Sequence, residues 1–110
     1  GEHAVGTCGR GRDAAEEAFG LVILEAMASG VVPIVSDHVG AADCITDGID
    51  GFIHRTGDAA AFAVSVDSLR VKSILRKDMS SQAVETAQAY DWSVVTPRLE
   101  NAIMDMIDEF

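Results

Sequence analysis

Glu17-Ala18-Phe19-Gly20-Leu21-Val22-Ile23-Leu24-Glu25-Ala26-Met27-Ala28-Ser29-Gly30-Val31-Val32-Pro33-Ile34-Val35-Ser36 passes from a helical pattern, through a glycine, into an apolar run with strand character. The pattern predicts a helix over residues 19–29, with Gly30 just past its end, where a left-handed backbone is favoured. From Leu21 to Ala28 the only polar side chain is Glu25, which predicts a helix without a solvent face, buried on most sides. A carboxylate there needs a cleft or a partner, because desolvating it unpaired is costly. Residues 31–36 are apolar toward both faces, as parallel strands covered by helices are. Pro33 has no N–H to give a neighbouring strand, so it belongs near the start of this one or on an edge.

Downstream, Asp37-His38-Val39-Gly40 forms the loop at the carboxyl end of that strand, and residues 41–46 have room for one or two helical turns. Asp47-Gly48-Ile49-Asp50-Gly51 has turn chemistry, and Phe52-Ile53-His54 predicts a second short strand. Asp58 is a good N-cap for a helix with Phe62, Val66 and Leu69 at i, i+4 and i+7. A second helix near residues 71–89 repeats Leu75, Met79, Ala83 and Ala87. A third follows Asp91-Trp92-Ser93 with Val95, Leu99, Ile103, Met106 and Phe110. These stripes predict core faces, and Trp92 a packing anchor. Upstream, Gly6-Thr7-Cys8-Gly9-Arg10-Gly11-Arg12-Asp13 within residues 1–16 has the composition of a loop or frayed segment.

Alternation of helix, apolar strand, helix, strand and helix places the chain in the α/β class, as a partial Rossmann-like doubly wound parallel sheet with a helical C-terminal segment. Two short strands rarely make a self-sufficient sheet. The expectation is therefore the C-terminal part of a larger doubly wound domain, with further βα units ahead of Gly1. Unpaired strand edges would then promote self-association.

Lys and Arg number 8 against 18 Asp and Glu, a net charge of −10 in 110 residues. That balance repels phosphate backbones and anionic lipid, so nucleic-acid binding is not expected. No apolar run approaches the length of a membrane span, and the opening Gly1-Glu2-His3 has no leader pattern. Cys8 and Cys44 stand apart from each other and from His3, His38 and His54. Their spacing predicts no metal site, and the two thiols are expected to be free in a reducing, cytoplasmic setting. No chemistry is assigned to the histidines.

With so few cations, an anion would have to be held by backbone N–H groups. A helix starting near Phe19 would leave the N–H groups of Gly20, Leu21 and Val22 unspent, at the positive end of its dipole. Gly20 would let a diphosphate approach without a Cβ in the way. An ionised Glu only accepts hydrogen bonds, which suits sugar hydroxyls. Glu17 and Glu25, if helical throughout, are ~12 Å apart along the axis. That span fits a nucleotide-diphosphate sugar, with one acid on the transferred sugar and one on the ribose. Two glutamates eight apart also occur by chance, so their surroundings must carry the reading.

Those surroundings resemble a known family. Residues 17–30 are similar to the E-x7-E signature of retaining, group 1 / family 4 type glycosyltransferases with the two-domain GT-B fold. The similarity continues through Val35-Ser36-Asp37, Asp47-Gly48, Gly51-Phe52, Gly57-Asp58 and Tyr90-Asp91-Trp92-Ser93, covering roughly residues 17–110. The resemblance implies that Glu17 is the catalytic-site acid on the donor sugar. It implies that Phe19, Gly20 and Leu21 hold sugar and diphosphate through backbone N–H groups, and that Glu25 binds the ribose. It further implies residues 17–92 as the C-terminal part of the donor-binding domain, and residues 93–110 as a helix crossing to an N-terminal domain. The acceptor (a glycan, a lipid-linked or a small molecule) would be bound by that domain, and the full protein would be cytoplasmic or peripheral to a membrane. No cofactor or metal is expected, since the family binds its donor without an Asp-x-Asp metal motif and none is present. Val39-Gly40-Ala41-Ala42-Asp43 departs from the family's double glycine and Glu, Pro33 falls one place late, and the basic pair for the leaving diphosphate is missing unless Arg10 and Arg12 replace it.

Two alternatives stand beside the transferase. One is a related GT-B-fold epimerase or phosphorylase, and the other a non-catalytic acidic α/β interaction module. By itself the chain is expected to show no turnover.

Overall fold

The computed structural model describes residues 13–38, 40 and 42–108. Expectations for His3, Cys8, Arg10, Arg12, Val39, Ala41 and Phe110 lie outside that set. In order, the elements are α1 (Ala14–Ala28), β1 (Ile34–Ser36), a 3-10 turn (Ala42–Cys44), β2 (Phe52–His54), α2 (Ala59–Val71), α3 (Ser73–Gln88) and α4 (Trp92–Asp108). β1 and β2 run parallel, with Ile34 opposite Phe52, Val35 opposite Ile53 and Ser36 opposite His54. This is the expected α/β class, and among the described residues the sheet has two strands.

α1 is the central element. Leu21, Leu24 and Met27 are fully buried and meet α3 through Ala83 and Ala87 and α4 through Val95, with Cys44, Ile45 and Tyr90 closing the cluster. The two alanines of α3 bring the helix backbones close, so long side chains on α1 fill the interface. Gly30, at φ +87°, ends α1 as expected. The N–H groups of Gly30 and Val31 return to the carbonyls of Met27 and Ala26, while Ser80 of α3 donates to the Gly30 carbonyl at 2.7 Å. Pro33 sits just ahead of β1, where its carbonyl accepts from Phe52 N at 2.9 Å.

Five expectations need correction. α1 begins at Ala14, not near Phe19. Asp13 caps it by accepting from Glu16 N at 2.9 Å, and Ala14-Ala15-Glu16-Glu17-Ala18 are good helix formers with acids in the first turn. Nor is α1 buried on most sides: Phe19, Val22, Glu25 and Ala28 form an exposed stripe, with Phe19 57% and Val22 47% accessible.

On α2, capped by Asp58 as expected, Leu69 is buried but Phe62 and Val66 are 48% and 43% exposed. The buried partner of Leu69 is Ser65, whose Oγ lies 2.6 Å from His54 Nε2 of β2. A polar group on the strand thus turns the helix so that Ser65, not Val66, faces the sheet. Along α4, Val95 is buried and Leu99 and Met106 are partly so, whereas Ile103 is exposed. Finally, Cys44 is disulfide-bonded rather than the expected free thiol.

Candidate functional site

Spacing of i, i+4 and i+8 lays Glu17, Leu21 and Glu25 down one flank of α1. α4 packs against that flank. Glu17, in the first turn of α1, accepts a hydrogen bond from Arg98 Nη2 of α4 at 2.9 Å, across 81 positions of sequence. Both side chains are about one-third accessible, 33% for Glu17 and 27% for Arg98. Between the acids, Leu21 is fully buried. Beyond it Glu25 is exposed, at the side of a groove of about 280 Å³ lined by Ala28 and Ser29 of the α1 end and by Trp92, Val95, Thr96 and Leu99 of α4. The choice posed by the sequence, cleft or partner, resolves as a cleft. Among the described residues no ion pair engages Glu25.

The proposed anion cradle is altered by the early start of α1. Inside a helix each N–H donates four residues back, so Gly20, Leu21 and Val22 are bonded to Glu16, Glu17 and Ala18. Gly20 is itself buried, with Cys44 Sγ 3.2 Å from its carbonyl oxygen. In this conformation the backbone of residues 20–22 has no donor to give a diphosphate. Phe19 and Val22 instead present side chains on the exposed stripe.

At the start of α1, His38 Nε2 lies 3.6 Å from Glu16 Oε1. Gly40, at φ +92°, passes so close that a Cβ there would meet the Glu16 carbonyl oxygen at 2.9 Å. A second hollow of about 280 Å³ opens beyond the carboxyl ends of β1 and β2, beside Ser36, His54, Arg55, Asp58 and Phe62. Asp37 braces its rim by accepting from Thr56 N at 3.0 Å and Thr56 Oγ1 at 2.8 Å. These bonds, the hydroxyl's first, hold the Asp37 carboxyl below its usual value. Among the described residues no group of three or more His, Cys, Asp or Glu could hold a metal, and no helix is long and apolar enough to cross a membrane.

The sequence profile described as "Glycosyl transferases group 1" matches residues 8–86. The chain belongs to this family. A phosphatidyl-myo-inositol mannosyltransferase of Mycobacterium leprae (strain TN) is 35% identical over 83 residues, 76% of this chain and 22% of that protein. A D-inositol 3-phosphate glycosyltransferase of Corynebacterium aurimucosum is 34% identical over 90 residues, 81% of this chain and 21% of that protein. A putative glycosyltransferase of Bacillus subtilis (strain 168) is 31% identical over 93 residues, 82% and 24% of the two chains. The chain thus spans about a fifth of the length of these relatives.

Membership of the group 1 glycosyl transferases makes the fold Rossmann-like, of GT-B type. Within this group 1 chain, what the sequence left unseen is the share of α4 in the site. Arg98, Thr96 and Leu99 fall in a helix whose pattern speaks only of packing. A helical wheel of residues 92–108 puts Trp92, Val95, Thr96 and Leu99 on one face, but nothing local says that this face meets the acids of α1.

Proposed function

We propose that this chain is the donor-binding portion of a retaining glycosyltransferase, which moves a sugar from a nucleotide-diphosphate donor to an acceptor supplied elsewhere. One observation carries the reading: Glu17 and Glu25 lie ~12 Å apart along one helix, on the flank beside α4, and the second borders an open groove. Family membership and the names of the relatives support it.

Each acid takes the role suited to an acceptor-only group. Glu17 receives hydroxyls of the transferred sugar near the reacting carbon, and Glu25 receives the ribose hydroxyls. Phe19 and Val22, exposed on the same helix, supply apolar surface to the donor. Donor binding in this reading needs no metal, and these residues alone give no turnover.

Saturation-transfer NMR tests it with UDP, GDP and ADP as probes. Signals from one of them with the parent chain, lost in Glu25→Ala, are the expected result. No transfer from any nucleotide, or transfer indifferent to Glu25→Ala, overturns the assignment. A second reading, a non-catalytic interaction module, is favoured by the spent N–H groups of residues 20–22. Absence of nucleotide binding would select it.

A further inference from the structure

The Arg98–Glu17 pair is more than a tie between helices. Glu17 sits in the first turn of α1, where an unpaired side chain would sample several rotamers. Arg98 reaches it from α4 with an Nη2–Oε1 hydrogen bond of 2.9 Å. That bond engages one carboxylate oxygen and leaves acceptor capacity on the group, since an ionised carboxylate offers about four lone-pair sites. The pair is a third exposed rather than sealed, so a ligand hydroxyl can reach the carboxylate without displacing the guanidinium. α4 is also the helix that walls the groove beside Glu25, through Trp92, Val95, Thr96 and Leu99. One helix therefore borders both acids: it fixes the first by charge and frames the second by shape.

From this geometry we propose that Arg98 is a positioning residue for donor recognition: it holds the Glu17 carboxylate aimed, so that it accepts from the hydroxyls of the donor sugar. The inference rests on the donor-binding reading above and adds a specificity to it. Arg98 acts through Glu17 on the sugar moiety, and not on the nucleoside diphosphate. A charge-assisted hydrogen bond of fixed geometry sets the direction in which the remaining lone pairs point, and loosening such an orienting contact weakens what depends on it.

The experiment compares two probe pairs, UDP with UDP-glucose and GDP with GDP-mannose, on the parent, Arg98→Gln, Arg98→Lys and Glu17→Gln. Affinities come from titration calorimetry or NMR, and folding from circular dichroism and the melting temperature. The expected outcome is that Arg98→Gln binds the sugar nucleotide roughly tenfold more weakly while the matching nucleoside diphosphate is unchanged. Arg98→Lys should recover part of the loss, and Arg98→Gln should add nothing in a Glu17→Gln background. Equal weakening of both probes means that Arg98 meets the diphosphate, and overturns the proposal. So does tighter sugar-nucleotide binding in Arg98→Gln, which would mark the pair as a latch holding Glu17 away. A lowered melting temperature with parent-like affinities leaves a purely structural tie and overturns it too. If the parent binds none of the probes, the donor-binding reading itself fails, an outcome distinct from all of these.

Discussion

Thr86 of α3 donates its hydroxyl to Asp50 Oδ2 at 2.6 Å across 36 positions of sequence, while Asp50 Oδ1 accepts from Thr46 N at 2.7 Å. Asp50 is 2% exposed, a buried carboxylate made tolerable by these bonds. They staple the turn before β2 to the helix layer.

Asp50→Ala should therefore cost about 2–3 kcal/mol, and Thr86→Val, which leaves Asp50 Oδ2 without this partner, about 1–3 kcal/mol. Since both remove one interaction, the double variant should lose less than the sum. Urea denaturation of the four proteins measures this, and simple additivity would deny the staple.

Gly51 separates steric from conformational demand on glycine. A Cβ there would lie 2.7 Å from the Pro33 carbonyl oxygen and 3.0 Å from Ile45 Cγ2, whereas one at Gly48 meets nothing within 4 Å but sits at φ +80°. The Pro33 carbonyl already accepts from Phe52 N and has little room to retreat. Gly51→Ala should cost about 1–3 kcal/mol through overpacking, and Gly48→Ala about 1 kcal/mol through its left-handed backbone. Broadening of the β1 and β2 amide signals should appear with Gly51→Ala alone; the same broadening in both variants would contradict the steric account.

Asp37 and Thr56 give an acid-side dependence. Because the native Asp37 carboxyl lies below its ordinary 3.8, its bonds to Thr56 stabilise the fold above that value, and the contribution is lost as pH falls through the native one. The melting temperatures of the parent and Thr56→Val should differ most near neutrality and converge in strong acid. A gap that stays constant down to about pH 2 would count against the bond.

Tyr90 gives the alkaline counterpart. Its hydroxyl is buried without a partner among the described residues. Burial, with the Asp50 carboxylate adding to it, pushes the phenol up to about 12. The unfolded phenol ionises near 10, so the stabilisation is complete below 10 and disappears as pH rises toward 12. As the chain has one tyrosine, ultraviolet absorbance follows it directly. Tyr90→Phe should be at least as stable as the parent at neutral pH, because it removes an orphan hydroxyl, and it should lose this alkaline slope. A midpoint near 10 in the folded protein would refute the burial argument.

Where the sequence was legible, two independent signals agreed. Gly30 after an apolar helix and Pro33 ahead of an apolar run marked the turn into β1. Asp58 with a following helical pattern marked α2. Met79, Ala83 and Ala87 repeated at the spacing that α3 buries.

Illegible were features that periodicity cannot register. Ala14–Ala18 carries no apolar rhythm, so the start of α1 rests on helix propensity and on Asp13, a cap set inside a glycine-rich stretch. Ser65 in place of Val66 on the inner face of α2 depends on His54, eleven residues earlier. Such a dependence is tertiary, and no local window contains it. The candidate site divides the same way: both acids stand out in the sequence, while Arg98 reaches Glu17 only because α4 lies along α1.

Trp92 donates its indole N–H to the Ala87 carbonyl at 2.9 Å, binding the start of α4 to the end of α3. It is the only tryptophan in the chain. Intrinsic fluorescence will therefore report the α3–α4 corner, where the indole also walls the Glu25 groove. Quenching or a blue shift on ligand addition would be a built-in readout of occupancy there, blind to fraying of α2 at the opposite end.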